Sequence, residues 1–196
     1  EVGDNLSLKS DGSIIKFGSD SDVTLTHVAD TGLTLKHTAT ADDKPIVLTL
    51  ATGETDIAAD DVLGKIEFQA PDEGTGTDAI LAAASIQAIS EGDFSSSSNA
   101  TTLAFFTANS AAAGTAADGG SMKLNSTGEL QLKSLSTADG SSPIITLQTG
   151  DTDIAANDVL GTINFQAPDE GAGTDAILVA AAISAVSEGD FSSSSN

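Results

Sequence analysis

The chain lacks cysteine, tryptophan and tyrosine, and its 196 residues include only 4 prolines and 7 phenylalanines. Without cysteine there is no disulfide framework and no thiol chemistry. Large aromatic side chains normally dominate cores and binding hot spots. An interior built without Trp or Tyr rests on Ala, Val, Ile and Leu, which makes a thin core suited to a slender shaft rather than a globule. Positive charge is also scarce: 7 basic residues, all lysine, stand against 29 acidic ones, and 7 − 29 gives the net charge of −22. Nucleic acid is therefore excluded as a partner, because phosphate contacts need a cationic face. Anionic membrane surfaces are disfavoured for the same reason. Such acidity suits a surface that stays soluble in salty water, where salt screens the self-repulsion. It can also signal disorder, but a hydrophobic fraction of 39 % in regular alternation argues for a folded chain. No signal peptide or membrane-spanning run is visible.

What is present is a repeat. Residues 50–99 and 147–196 align without a gap, Gly64 pairing with Gly161 at an offset of 161 − 64 = 97, and 40 of the 50 positions are identical. One active site is enough for a catalyst, whereas a filament has length as its product, so the duplication reads as a structural unit. A weaker likeness joins residues 32–46 to 128–144, with Leu33 matching Leu130 and Lys36 matching Lys133. The expected organisation is an N-terminal β segment over 1–49 (the end of a preceding unit and the start of the first copy), a unit of about 97 residues over 50–146, and a partial second copy over 147–196. The second copy reaches the equivalent of Asn99 at Asn196, so the chain is expected to be a window on a longer polypeptide.

Period-2 alternation predicts strands over Asp22–Val28, Gly32–Lys36, Ile46–Leu50, Lys65–Ala70, Thr102–Phe106, Ser121–Asn125, Glu129–Lys133 and Ile144–Gln148. Turn clusters rich in Gly, Asp, Ser and Thr separate them, which predicts an all-β fold of short antiparallel strands. Ala79–Ile89 is Ala-rich enough to be read as a helix. A strand is the better reading, because its even positions are all apolar while Ser85 and Gln87 fall on the odd set. Small Ala side chains there would let three such strands approach a common axis.

The order of Leu63–Ala70, Ala79–Ala88, Leu103–Thr107 and Met122–Leu132, separated by acidic and Ser/Asn-rich turns, resembles the repeats of bacteriophage tail fibres and related virion appendages. The run Phe17–Lys36 looks like repeats common in structural proteins of marine phages. The resemblance implies an elongated, intertwined homotrimer placed on a virion and in contact with other tail proteins. An extracellular adhesin or surface filament of a marine bacterium is the alternative.

Candidate sites are weak. Asp30-Thr31-Gly32, after Val28-Ala29, resembles the catalytic triplet of aspartic proteases, but Leu33 departs from that pattern and Asn125-Ser126-Thr127-Gly128 carries no Asp. An Asx-Thr-Gly hairpin turn is the simpler reading. Three acidic groups supply the oxygens that Ca2+ takes: Asp20 with Asp22, Asp56 with Asp60 and Asp61, and Asp72-Glu73 with Asp78. None fits an EF-hand or nonapeptide signature, so solvated turn carboxylates are favoured. His27 and His37 have no Cys beside them and are absent from the second unit, which speaks against catalysis or zinc. Asn5, Asn99 and Asn125 head glycosylation sequons that matter only in a eukaryotic secretory setting. No catalytic, cofactor or metal residue is assigned, and no enzyme is expected. Phe68, Phe165, Phe105 and Ile80 are expected in the core. The copies are expected to fold alike and lie end to end, with matching burial at Phe68 and Phe165 and at Ile86 and Ile183.

Overall fold

Alternating side chains commit a chain to a ladder only where a partner strand is within reach, and short Gly/Asp turns bring consecutive partners together. A computed structural model describes residues 7–69, 82–108, 122–134, 136, 138–166 and 179–191, and among them every regular element is a β-strand. They are β1 Ile14–Phe17, β2 Val23–Val28, β3 Gly32–His37, β4 Val62–Gln69, β5 Ala82–Ser90, β6 Thr101–Thr107, β7 Met122–Leu124, β8 Leu130–Leu132, β9 Val159–Gln166 and β10 Val179–Val186. The chain divides into two compact units, Glu1–Gln131 and Leu132–Asn196.

The first unit holds two sheets, β1-β2-β3 and β4-β5-β6-β7-β8, each strand beside its sequence neighbour. Every pairing with a defined register there is antiparallel. Val28 pairs with Gly32 across the turn that holds the Asp-Thr-Gly triplet. The Thr31 N–H donates to the Val28 carbonyl at 3.0 Å, and Asp30 takes a φ of 57°. That is hairpin chemistry, and Asx residues are the non-glycine residues that tolerate this backbone best. Among the described residues the second unit contains one antiparallel hairpin, β9 with β10.

The two hairpins copy each other in register. Phe68 faces Ala84 as Phe165 faces Ala181, Ile66 faces Ile86 as Ile163 faces Ile183, and Gly64 faces Ala88 as Gly161 faces Ala185. The expected strand at Ala79–Ile89 is seen from Ala82 onward; Ala70, Ile80 and Ser121 lie outside the described residues.

Two expected strands do not form. No ladder includes Ile46–Leu50 or Ile144–Gln148, and Val47, Leu48, Ile144 and Ile145 are each exposed. Periodicity specifies which side chains share a face and says nothing about whether a backbone partner lies beside them. β1 opens on the same Ile-Ile pair as Ile144–Gln148, yet β2 holds it in register through Ile15–Leu25 and Phe17–Val23.

Candidate interaction face

Register sorts the larger sheet into two unlike faces. Residues opposite one another across a ladder point the same way. One face carries the rows Phe68–Ala84–Thr107, Ile66–Ile86–Phe105–Met122 and Gly64–Ala88–Leu103–Leu124. It is apolar but for one Thr. The opposite face carries Glu67–Ser85–Phe106 and Lys65–Gln87–Ala104–Lys123. On that side Lys65 Nζ lies 2.7 Å from Glu67 Oε1, an exposed pair worth little.

The core does not sit where alternation placed it. Ala104 and Phe106 are the buried hydrophobic residues among those described, and Ser85 and Gln87 are buried beside them, joined by a 2.8 Å hydrogen bond from Gln87 Nε2 to Ser85 Oγ. Among the described residues no other strand contacts the apolar face, though Leu50 lies against its Gly64. Phe68 is 54 % exposed and Phe165 52 %, Phe105 is half-buried, and Ile80 lies outside the described residues. The expectation of a core role for the first two is thus corrected within a single chain. Phe68 and Phe165 match in exposure as expected, whereas Ile86 is half-buried and Ile183 is 64 % exposed. The cause is local: β6 flanks β5, and no described strand flanks β10 on that side.

Each hairpin is closed by the same clasp. Asp61 N–H donates to Ser90 Oγ at 3.0 Å, the Ser90 hydroxyl donates to the Ala58 carbonyl, and Ala58 N–H donates to Asp61 Oδ2 at 2.7 Å. Asp158, Ser187 and Ala155 repeat these bonds. Asp60 and Asn157 both sit at positive φ, 70° and 74°, while their N–H groups donate to the Ser90 and Ser187 carbonyls at 3.0 Å. Sequence reading missed the clasp, since a lone Ser at the end of a strand carries no signal. Leu50 and Leu147 lie against Gly64 and Gly161, where a Cβ would sit 3.0 Å and 2.8 Å from the Leu Cβ.

Glu91, just past β5, was also missed. Its carboxylate accepts hydrogen bonds from Ser126 N–H and Thr102 Oγ1, both at 2.8 Å, and from the Ser126 hydroxyl. Those bonds, the Ser126 hydroxyl's first, hold the Glu91 carboxyl below its ordinary value of 4.5. A carboxyl lowered on folding contributes stability above its unfolded pKa, and that contribution is lost as pH falls through the folded pKa. Glu91→Gln should therefore weaken the chain at neutral pH, and the difference from wild type should vanish in acid. Urea midpoints across the carboxylate range check this; a difference that stays constant with pH would show that Glu91 does not act through its charge. The turn it grips is further braced by Asn125 Oδ1, which accepts from Thr127 N–H and Glu129 N–H at 3.1 Å and 2.8 Å.

Among the described residues no three His, Cys, Asp or Glu side chains converge on a cation position. Asp61 is committed to the clasp, and Asp72, Glu73 and Asp78 lie outside the described residues, as do Asn5 and Ile80. His27 and His37 lie on the half-apolar face of the small sheet with Leu25 and Leu35. Among the described residues no helix is long and apolar enough to cross a membrane. A scan against protein-family models finds no match, and neither does a search of curated proteins.

Proposed function

We propose that this chain is a shaft segment of a bacteriophage tail fibre or similar virion appendage. Its role is mechanical: repeated β units in an elongated homotrimer hold a receptor-binding tip away from the particle and transmit attachment. Its partners are two further copies of itself and neighbouring tail proteins, outside the cell, with no nucleic acid and no inserted membrane segment.

The observation that carries this reading is the apolar face of Ile66, Phe68, Leu103 and Leu124, each 41–54 % exposed in the single chain. A contiguous apolar surface of this kind marks a place where another surface belongs. Ala84 and Ala88 stand between the larger side chains and let a second sheet approach closely. The threefold number comes from the resemblance to tail-fibre repeats. Sedimentation velocity on the 196-residue chain should give the mass of three chains. A stable, folded monomer at micromolar concentration overturns the proposal.

A further inference from the structure

Each unit carries an apolar arm that its own sheets leave unused. Residues 45–53 and 141–150 bear no charge, in a chain of net charge −22. The backbone runs without bend or turn from residue 44 to 54 and from 141 to 151. Among the described residues nothing hydrogen-bonds to the backbone of residues 46–50 or 144–147. Val47 and Leu48 are 71 % and 68 % exposed, and their equivalents Ile144 and Ile145 82 % and 66 %. Water satisfies the amides of such an arm but not its side chains. A neighbouring strand pairs the amides and takes the side chains out of water.

Neither arm is placed to pair with its own hairpin. Leu50 Cβ and its carbonyl oxygen lie 3.0 Å and 3.3 Å from where a Gly64 Cβ would sit, so the chain passes over the sheet face and not beside its edge. Leu147 lies over Gly161 in the same way.

Each hairpin also has an open edge, on its first strand. Ser90 N–H donates to Asp61 O and Asp60 N–H to Ser90 O, so even-numbered residues of β5 bond toward β4. Their partners Gly64, Ile66 and Phe68 are spent on β5, and Lys65 and Glu67 turn their N–H and C=O groups outward. In the second unit Ser187 N–H donates to Asp158 O and Asn157 N–H to Ser187 O, so Thr162 and Asn164 turn outward. Among the described residues no strand pairs with β4 or β9 on that side. An unpaired edge is a template for an added strand.

We propose that residues 46–50 and 144–147 are donor strands, which add to the outer edges of β4 and β9, respectively, in a second copy of the chain. The proposal rests on the reading that copies assemble, whatever their number, and concerns the edges rather than the apolar face. Each chain holds donors and acceptors in equal number, so successive copies satisfy one another around a closed ring. The donors are neutral, and the acceptors carry one Lys and one Glu in β4 and no charge in β9, so neither pairing sets like charges together.

Amide hydrogen exchange on the full chain, above and below the concentration at which it assembles, tests this. Alternate amides of residues 46–50 and 144–147 should exchange at least about tenfold more slowly in the assembly. Glu67→Pro removes an outward donor that β5 does not use, a change an edge strand tolerates. It should return the amides of 46–50 to their dilute rates, leave those of 144–147 slow, and leave the Ile86 amide protected. Asn164→Pro should free 144–147 and leave 46–50 slow. Glu67→Gln, which keeps the N–H, should change neither arm. Arm amides that stay fast in an assembled protein overturn the proposal and leave the shaft reading standing. Equal slowing of 46–50 in Glu67→Pro and Glu67→Gln overturns it too. A chain that is monomeric at every concentration overturns both.

Discussion

Phe68→Ala is expected to lower the melting temperature of the assembled protein steeply while leaving the isolated chain almost unchanged. The two states differ because Phe68 is 54 % exposed in one chain and is proposed to be covered in the trimer. Truncating a buried Phe costs about 3–5 kcal/mol, whereas a change at an exposed site stays within about 0.5 kcal/mol. The first figure is a large share of the ~5–15 kcal/mol that holds a typical domain together, and it corresponds to a shift on the order of 10 °C. Calorimetry over a range of chain concentrations separates the two states, because only the assembled form has a concentration-dependent midpoint. Phe165→Ala should behave alike, given its matching exposure and register. Unchanged stability of the assembly would remove this face as the interface. Unchanged stability with loss of host attachment would make the segment a binding module.

Gly161→Ala should destabilise the second unit, although the same change elsewhere in an extended strand would help it. Two effects oppose each other. Removing a glycine restricts the unfolded chain and is worth about 0.4–1 kcal/mol of stability where the fold accepts a Cβ. Overpacking against a neighbour that cannot move costs about 1–3 kcal/mol. The added Cβ would lie 2.8 Å from Leu147 Cβ, an atom fixed to the backbone rather than the tip of a flexible side chain, so the second effect wins. Gly64→Ala meets Leu50 Cβ at 3.0 Å and the Leu50 carbonyl oxygen at 3.3 Å, and should be destabilising by a smaller margin. Gly150→Ala is the control, since nothing lies within 4 Å of its Cβ position. Chemical denaturation midpoints should fall in the order Gly150→Ala, Gly64→Ala, Gly161→Ala. A Gly161→Ala variant as stable as the control would mean that the Leu147 segment is free to shift.

Much of the fold was legible because a strand's side-chain period survives in the sequence. The alternation of β2, β3, β4 and β6 located each to within a few residues, and the odd placement of Ser85 and Gln87 resolved the Ala-rich segment as β5. What alternation cannot encode is the partner. Ile144–Gln148 and β1 open on the same Ile-Ile pair, yet only β1 has a ladder. Nor does it say which face is covered. The apolar face looked like the core because apolar residues usually lie inward, yet the buried pair is Ala104 and Phe106, on the side shared with Gln87 and Lys123. The clasp at Ser90 and the grip of Glu91 on Ser126 span 29 to 35 residues of sequence and depend on turns whose geometry no local motif announces.

The apolar face has a consequence for how this chain has drifted since it duplicated. Gly64, Ile66, Phe68, Ala84, Ile86 and Ala88 are all unchanged in the second copy, at Gly161, Ile163, Phe165, Ala181, Ile183 and Ala185. On the reverse of the same two strands, Lys65, Glu67, Ser85 and Gln87 have all been replaced, by Thr162, Asn164, Ala182 and Ser184. Hydrophobic side chains left facing water are ordinarily free to exchange, since little is lost when they go. Between the two copies the four side chains on the reverse face differ and these six on the apolar one do not, while Ala82 gives way only to another apolar residue, Val179. The apolar side of the hairpin is repeated as an interior would be.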